Sequence, residues 1–190
     1  MINRDILINA FLEKNSQINL SAIRDYNWVL IKHIQDSLEL EHIIGWKDSM
    51  DIADVGTGWW FPLIPLAMSH PECNFTGIDS IKKKTVAVWE ILASLNVNNV
   101  HMYRWRAEEI KNQEFDLVTA RAVAYSDKLL NRVTPLVKKW WKIALMKQFD
   151  EFEKQVLIKE INKKHLKLED EHHYKLFDWD IDRVIYVLLK

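Results

Sequence analysis

Ile52-Ala53-Asp54-Val55-Gly56-Thr57-Gly58 is the stretch on which the reading of this chain turns. A short apolar run that ends at a glycine reads as a buried strand. The glycine-bearing turn behind it lets backbone approach a ligand with no Cβ in the way. Outward from there, Phe75 to Ile78, Val100 to Tyr103, Phe115 to Thr119 and Ile143 to Met146 predict four more strands. Lys82 to Asn96 carries Val88, Ile91, Leu92 and Leu95 at helical spacing, and Tyr125 to Val137 predicts another helix. Strands that alternate with helices imply an α/β fold with a mostly parallel central sheet, covered by helices on both faces. Val184 to Leu189 predicts a last strand that completes the sheet, after a charged helix over Glu151 to Lys164 whose face reads as solvated. Upstream lie two further predicted helices. One covers Asp5 to Lys14, with Ile8, Phe11 and Leu12 inward. The other covers Trp28 to Glu41, with Leu30, Ile31, Ile34 and Leu38 on one face, and the polar Asn19-Leu20-Ser21 separates the two. The expected organisation is one domain, a helical segment over 1–45 and a core over 46–190.

Composition narrows the function classes. The 190 residues are 48% hydrophobic and 28% charged, which argues against a disordered chain. No run of 18 apolar residues exists, so no membrane span is expected. No secretory signal is legible either. One cysteine, Cys73, excludes an intramolecular disulfide framework and fits a reducing cytoplasm. The formal net charge is −1, so contact with nucleic acid would rest on a local patch.

The second predicted strand ends in Ile78-Asp79. A carboxylate there can accept hydrogen bonds from both ribose hydroxyls of a nucleoside cofactor; it can equally start the next helix. Read as solvent-facing, it would contribute little to the core. The phosphate-binding G-x-G-x-x-G is incomplete, because Trp59, Trp60 and Phe61 follow Gly58. That weakens a dinucleotide reading without separating it from S-adenosylmethionine.

Six motifs in order carry a more specific likeness. They are Asn19-Leu20-Ser21-Ala22-Ile23-Arg24-Asp25; Lys32-His33-Ile34-Gln35-Asp36-Ser37-Leu38; Asp54 to Gly58 with Phe61-Pro62 and Ile64-Pro65-Leu66-Ala67; Asp79-Ser80 with Lys83-Lys84; Arg106-Ala107-Glu108-Glu109; and Phe115-Asp116 followed by Ala120-Arg121-Ala122. In order and spacing the chain resembles the ribosomal RNA small subunit methyltransferase G family, over nearly its whole length. The resemblance implies a Rossmann-like class I methyltransferase that uses S-adenosylmethionine to methylate guanine N7 in 16S ribosomal RNA. It places Gly56, Gly58 and Phe61 at the cofactor turn, Asp79 on the ribose, and Ala107 and Glu108 beside the adenine. Arg121 falls near the methionine end. It also implies a cytoplasmic enzyme, expected as a monomer, that acts on 16S ribosomal RNA or the small subunit and has no membrane partner. Guanine N7 carries a lone pair and no proton, so neither a general base nor a metal is expected, and alignment is the main requirement. His165, His172 and His173 show no ligand spacing.

Candidate RNA contacts are Lys83, Lys84 and His33, with Lys82, Arg104, Arg106, Lys138, Lys139 and Lys142 as further positive groups. His33 and Asp36 can also be read as a helix hydrogen-bonding pair. Other readings are a class I methyltransferase with a different substrate, or an inactive binding domain in which Trp59 and Trp60 fill the cofactor turn.

The glycine count bears on that last reading. Glycine is ordinarily about 7% of residues, or about 13 in a chain this long. This sequence has 4 glycines and 9 tryptophans, which together make that number. Trp59-Trp60, Trp105 and Trp140-Trp141 stand in turns that call for glycine, and the family resemblance implies glycine at each. If UGA codons specify glycine here, those indoles should be exposed, strained or crowded into the cofactor cleft.

Overall fold

The computed structural model describes residues 3–19, 21–58, 60–121, 125–176 and 181–190. Leu20, Trp59, Ala122 and Trp179 lie outside the described residues. One seven-stranded sheet runs through the molecule in the order β3-β2-β1-β4-β5-β7-β6. The five parallel strands are β1 (Asp51–Val55), β2 (Asn74–Ile78), β3 (Val100–Tyr103), β4 (Phe115–Arg121) and β5 (Val137–Gln148). β6 (Lys167–Lys175) and β7 (Asp182–Leu189) form an antiparallel hairpin on the β5 edge. Order reverses at β1, which pairs β2 on one side and β4 on the other.

Helices cover both faces. One face carries α1 (Arg4–Ile18), α4 (Leu63–Ser69) and α5 (Lys82–Ser94), which share a core with Ile52, Phe75 and Leu117. The other carries α6 (Ser126–Val133) and α7 (Glu151–Lys163) over Val118, Ile143 and Leu145. The expected α/β class and strand positions hold. β5 starts six residues earlier than expected, because the helix before it stops at Val133 and a 3-10 turn, Thr134–Leu136, carries Pro135.

Two expectations need correction, and one strand was not foreseen. The predicted helix over Trp28 to Glu41 is broken into α2 (Tyr26–Val29), a π turn Leu30–Gln35, α3 (Asp36–Leu38) and a 3-10 turn Glu39–His42. Its buried face includes His33, Asp36 and Ser37, while Leu30 and Ile31 are only half-buried. The helix α7 is not solvated all round: Glu153 is buried and accepts from the Ser126 N–H and hydroxyl at 2.8 and 2.7 Å. β6 escapes a periodicity reading because its sequence, Lys-Leu-Glu-Asp-Glu-His-His-Tyr-Lys, lacks apolar alternation. At the edge of a sheet that charge is useful, since it discourages pairing with another chain.

Candidate active site

The carboxyl ends of β1, β2 and β4 open onto a cleft of about 540 Å³. It lies where strand order reverses, the place at which open α/β sheets bind ligands. Gly56 and Gly58 turn the chain out of β1 with φ of +72° and +44°. A Cβ on Gly58 would stand 3.4 Å from the Gly56 carbonyl oxygen and 3.9 Å from Asp79 Oδ2, in space the turn leaves to a ligand. Beneath the turn, Asp54 is buried and accepts from the Thr57 hydroxyl and, at 2.9 Å, from Thr119 Oγ1. Burial pushes its pKa up to about 6, against the two hydroxyl donors, which lower it.

Asp79 lines the cleft from the end of β2. It is not solvent-facing, as the sequence suggests, but only 8% exposed. Oδ2 accepts the Gly58 N–H at 3.0 Å and Oδ1 accepts the Ile81 N–H at 2.8 Å. Asp79 therefore ties the β1 turn to the start of α5 as well as facing the cleft. A carboxylate has about four acceptor positions, so two remain for a ligand. Ala107 and Glu108 form the far wall, with Trp105, and Glu108 pairs with Arg132 at 2.7 Å across the rim.

A different construction forms the wall by Phe61 and Arg121. Asp36, 1% exposed, is its hub. Oδ1 accepts from Tyr174 Oη at 2.7 Å and Arg183 Nε at 2.9 Å. Oδ2 accepts from Arg183 Nη2 at 3.1 Å and pairs with Arg121 Nη1 at 3.0 Å. Arg121 Nη2 reaches His33 Nδ1 at 2.8 Å. The guanidinium only donates and the Lys32 carbonyl, 3.1 Å from the same Nδ1, only accepts, so the two compete for that nitrogen, while Nε2 is buried without a partner. Burial and the Arg121 charge lower the His33 pKa to about 3, so the ring is neutral. It stacks on Phe61 at 4.6 Å, and Phe11 packs against both rings, at 5.4 Å from His33 and 5.5 Å from Phe61.

Comparison with known proteins matches the chain to one family. The family model "rRNA small subunit methyltransferase G", GidB, matches residues 4–176. The chain belongs to this family. The "Ribosomal RNA small subunit methyltransferase G" of Listeria welshimeri is 34% identical over 185 residues, covering 94% of this chain and 78% of that protein. That of Lactobacillus helveticus is 37% identical over 135 residues, 67% of this chain and 56% of the other. Solved structures repeat the fold. A "SAM dependent methyltransferase" from Aquifex aeolicus superposes with a TM-score of 0.69 at 15% identity, over 94% of this chain and 98% of that one. The ribosomal protein L11 methylase of Lactobacillus delbrueckii gives 0.66 at 13% identity, over 84% and 78%. The chain is thus an S-adenosylmethionine-dependent ribosomal RNA methyltransferase with a class I methyltransferase fold.

Of the residues the resemblance implies, Gly56, Gly58, Phe61, Asp79, Ala107, Glu108 and Arg121 all line the one cleft. The RNA candidates divide. Lys84 stands at the cleft. Lys83 instead donates from Nζ to the Ile18 carbonyl at 2.8 Å, holding the end of α1. The His33 side chain is 7% exposed, packs against Phe61 and Phe11, and links to Arg121. Lys138 lies at the opposite end of the sheet, where it pairs with Asp116 and Asp51 at 2.9 and 3.4 Å. Sequence reasoning missed Asp54, Arg132, Tyr174 and Arg183. Only Asp54 had a local signal, a carboxylate inside an apolar strand just before the glycine turn.

Proposed function

We propose that this cleft seats S-adenosylmethionine between the β1 turn, Asp79 and the Ala107 wall, and that the methyl group goes to N7 of a guanine in 16S ribosomal RNA. The observation that carries the reading is the convergence of a glycine turn, a strand-end carboxylate and a fixed guanidinium on one cleft. The residues fit the cofactor. Asp79 keeps two acceptor positions for the ribose hydroxyls, Ile81 and Ala107 offer apolar surface to the adenine, and Arg121 offers a cation to the methionine carboxylate. When bound, S-adenosylmethionine supplies an electrophilic methyl group on a sulfonium.

The chain's own work is positioning. Asp36 and His33 hold Arg121 by three of its hydrogen-bonding contacts, so its direction is set before any ligand arrives. Phe61, packed on His33, shapes the floor beside it. Guanine N7 has no proton to lose, so the site needs no base. Arg106 and Lys84 at the cleft add positive charge where a phosphate backbone would pass. The chain works as a single methyltransferase domain, a monomer of the cytoplasm.

The test is methyl transfer from labelled S-adenosylmethionine to small ribosomal subunits and to free RNA, followed by chemical cleavage at 7-methylguanosine. One labelled guanine in the small-subunit RNA is expected. Label on another base or on protein would point to a class I methyltransferase with a different substrate, and no cofactor binding would point to an inactive domain.

A further inference from the structure

Seven described residues other than glycine have positive φ: Asn19, Ser49, Trp60, Asn96, Asn112, Trp140 and His165. Asparagine and histidine are enriched in that region, whereas a bulky side chain there is an outlier. Trp60, at φ +74°, is locked in place. Its N–H donates to the Thr57 carbonyl and its own carbonyl accepts from the Ile64 N–H, both at 2.8 Å. The indole is fully buried beside Phe11, and its Nε1 has no partner. An unpartnered buried donor is rare in folded proteins.

Trp140 repeats the pattern elsewhere. It has φ +67° and is 70% exposed. From Phe115 to Leu117 β4 faces the stretch from Val137 to Lys142 on β5, so β5 bulges by three residues around Trp140. Left-handed bulge positions favour glycine. Trp105, at the exit of β3, is half-exposed, lines the cofactor cleft and stacks on Tyr103 at 5.0 Å. Two unrelated loops thus place tryptophan where backbone geometry asks for glycine. The chain as a whole is short of glycine by about the number of tryptophans it carries.

We propose that positions 59, 60, 105, 140 and 141 are glycine in the protein the cell makes, the gene's codon at each being UGA decoded as glycine. One cause then accounts for more than half of the glycine shortfall, for the left-handed tryptophans and for the indole in the cleft. It also deepens the cofactor reading on which it partly rests. Trp60→Gly would relieve the left-handed position that follows the glycine turn, and Trp105→Gly would open the wall that faces the adenine.

Reading the gene is the first test. UGA is expected at all five positions, and UGG at position 60 or 140 overturns the proposal. Peptides of the enzyme purified from its own cells should carry glycine at those positions, and tryptophan there also overturns it. Calorimetry then compares S-adenosylmethionine binding by the chain as written and by its fivefold tryptophan-to-glycine variant. The variant should bind at least about tenfold more tightly, with the turn relieved and the wall opened; equal affinity overturns the cofactor-site part. If neither chain binds while native peptides carry glycine, the cofactor reading fails and the glycine assignment stands.

Discussion

The two walls of the cleft are built by opposite means. The wall at β1 and β2 is mostly backbone. Gly56 and Gly58 bend the chain, Asp79 gathers the N–H groups of Gly58 and Ile81, and Asp54 supports the turn from below. Its partners are few and close in sequence. The wall at Arg121 is mostly side-chain charge. Asp36 comes from the N-terminal helical run, Arg121 from β4, and Tyr174 and Arg183 from the C-terminal hairpin. The first wall can form as its strands pair. The second exists only when three distant segments have met, so it should be the one through which global stability and cofactor binding are coupled.

That contrast is broken most directly at Asp36. Asp36→Ala leaves two buried guanidiniums, Arg121 and Arg183, without their shared carboxylate. Removing one partner of a buried ion pair costs about 3–5 kcal/mol. Urea denaturation should show a loss of that order, and S-adenosylmethionine binding should weaken at the same time because Arg121 loses its anchor. A variant as stable as the parent would remove the Asp36 hub from this account.

At the other wall, Asp54 gives a pH-dependent effect. Its folded pKa of about 6 lies above the ordinary 3.8. Between those values the folded chain holds a proton that the unfolded chain has released. Stability from this group is therefore lost as pH rises from about 4 to about 6, and the loss levels off above that. Asp54→Asn removes the titration. The stability of the parent relative to this variant should fall by at most about 3 kcal/mol across that window. A difference that stays flat with pH would contradict the buried, hydroxyl-bound carboxylate described here.

Asp79 joins the two kinds of role. Asp79→Asn keeps one carbonyl oxygen for a backbone N–H and loses the charge. Hydrogen bonds to a charged group contribute about 1.5–3 kcal/mol each, so cofactor affinity should drop by that order. Because Asp79 is buried and bridges the Gly58 and Ile81 N–H groups, thermal stability should fall as well. Calorimetric titration and a melting curve on the same sample separate the two losses. Unchanged affinity would take the ribose role away from Asp79.

The same division explains what was legible in the sequence. The first wall follows from local pattern: an apolar run before Gly56 and a second before Asp79. The second wall does not, although its members were in plain view. His33 and Asp36 stand three residues apart on a helix, but the π turn at Leu30–Gln35 helps turn that polar face inward, and nothing in the periodicity shows it. Arg183 lies 147 residues from Asp36 and Tyr174 lies 138 away. Charge pairing across such distances depends on how the β6–β7 hairpin closes, and the edge strand β6 carried no strand signal of its own. The lysines show a related limit: composition reveals a positive residue but not its partner, so the Asp116 and Asp51 pairs of Lys138 and the Ile18 contact of Lys83 were not foreseen.

Lys83 offers the smallest and most discriminating test. Its ammonium donates to the Ile18 carbonyl at the end of α1, an exposed contact that links α1 to the first turn of α5. A cation at a helix C-terminus contributes about 0.3–1 kcal/mol where it is exposed. Lys83→Met keeps the aliphatic stem and removes the charge, so stability should fall by no more than that. Phe11 on α1 packs on His33 and Phe61, so loosening α1 should relax the Arg121 wall slightly and raise KM for the cofactor more than KM for the RNA. If Lys83 instead belonged to the RNA surface, stability and cofactor KM would stay put, while the KM for small subunits would rise and lose part of its salt dependence. Measuring both constants at two ionic strengths tells whether this lysine serves the protein's own architecture or its substrate.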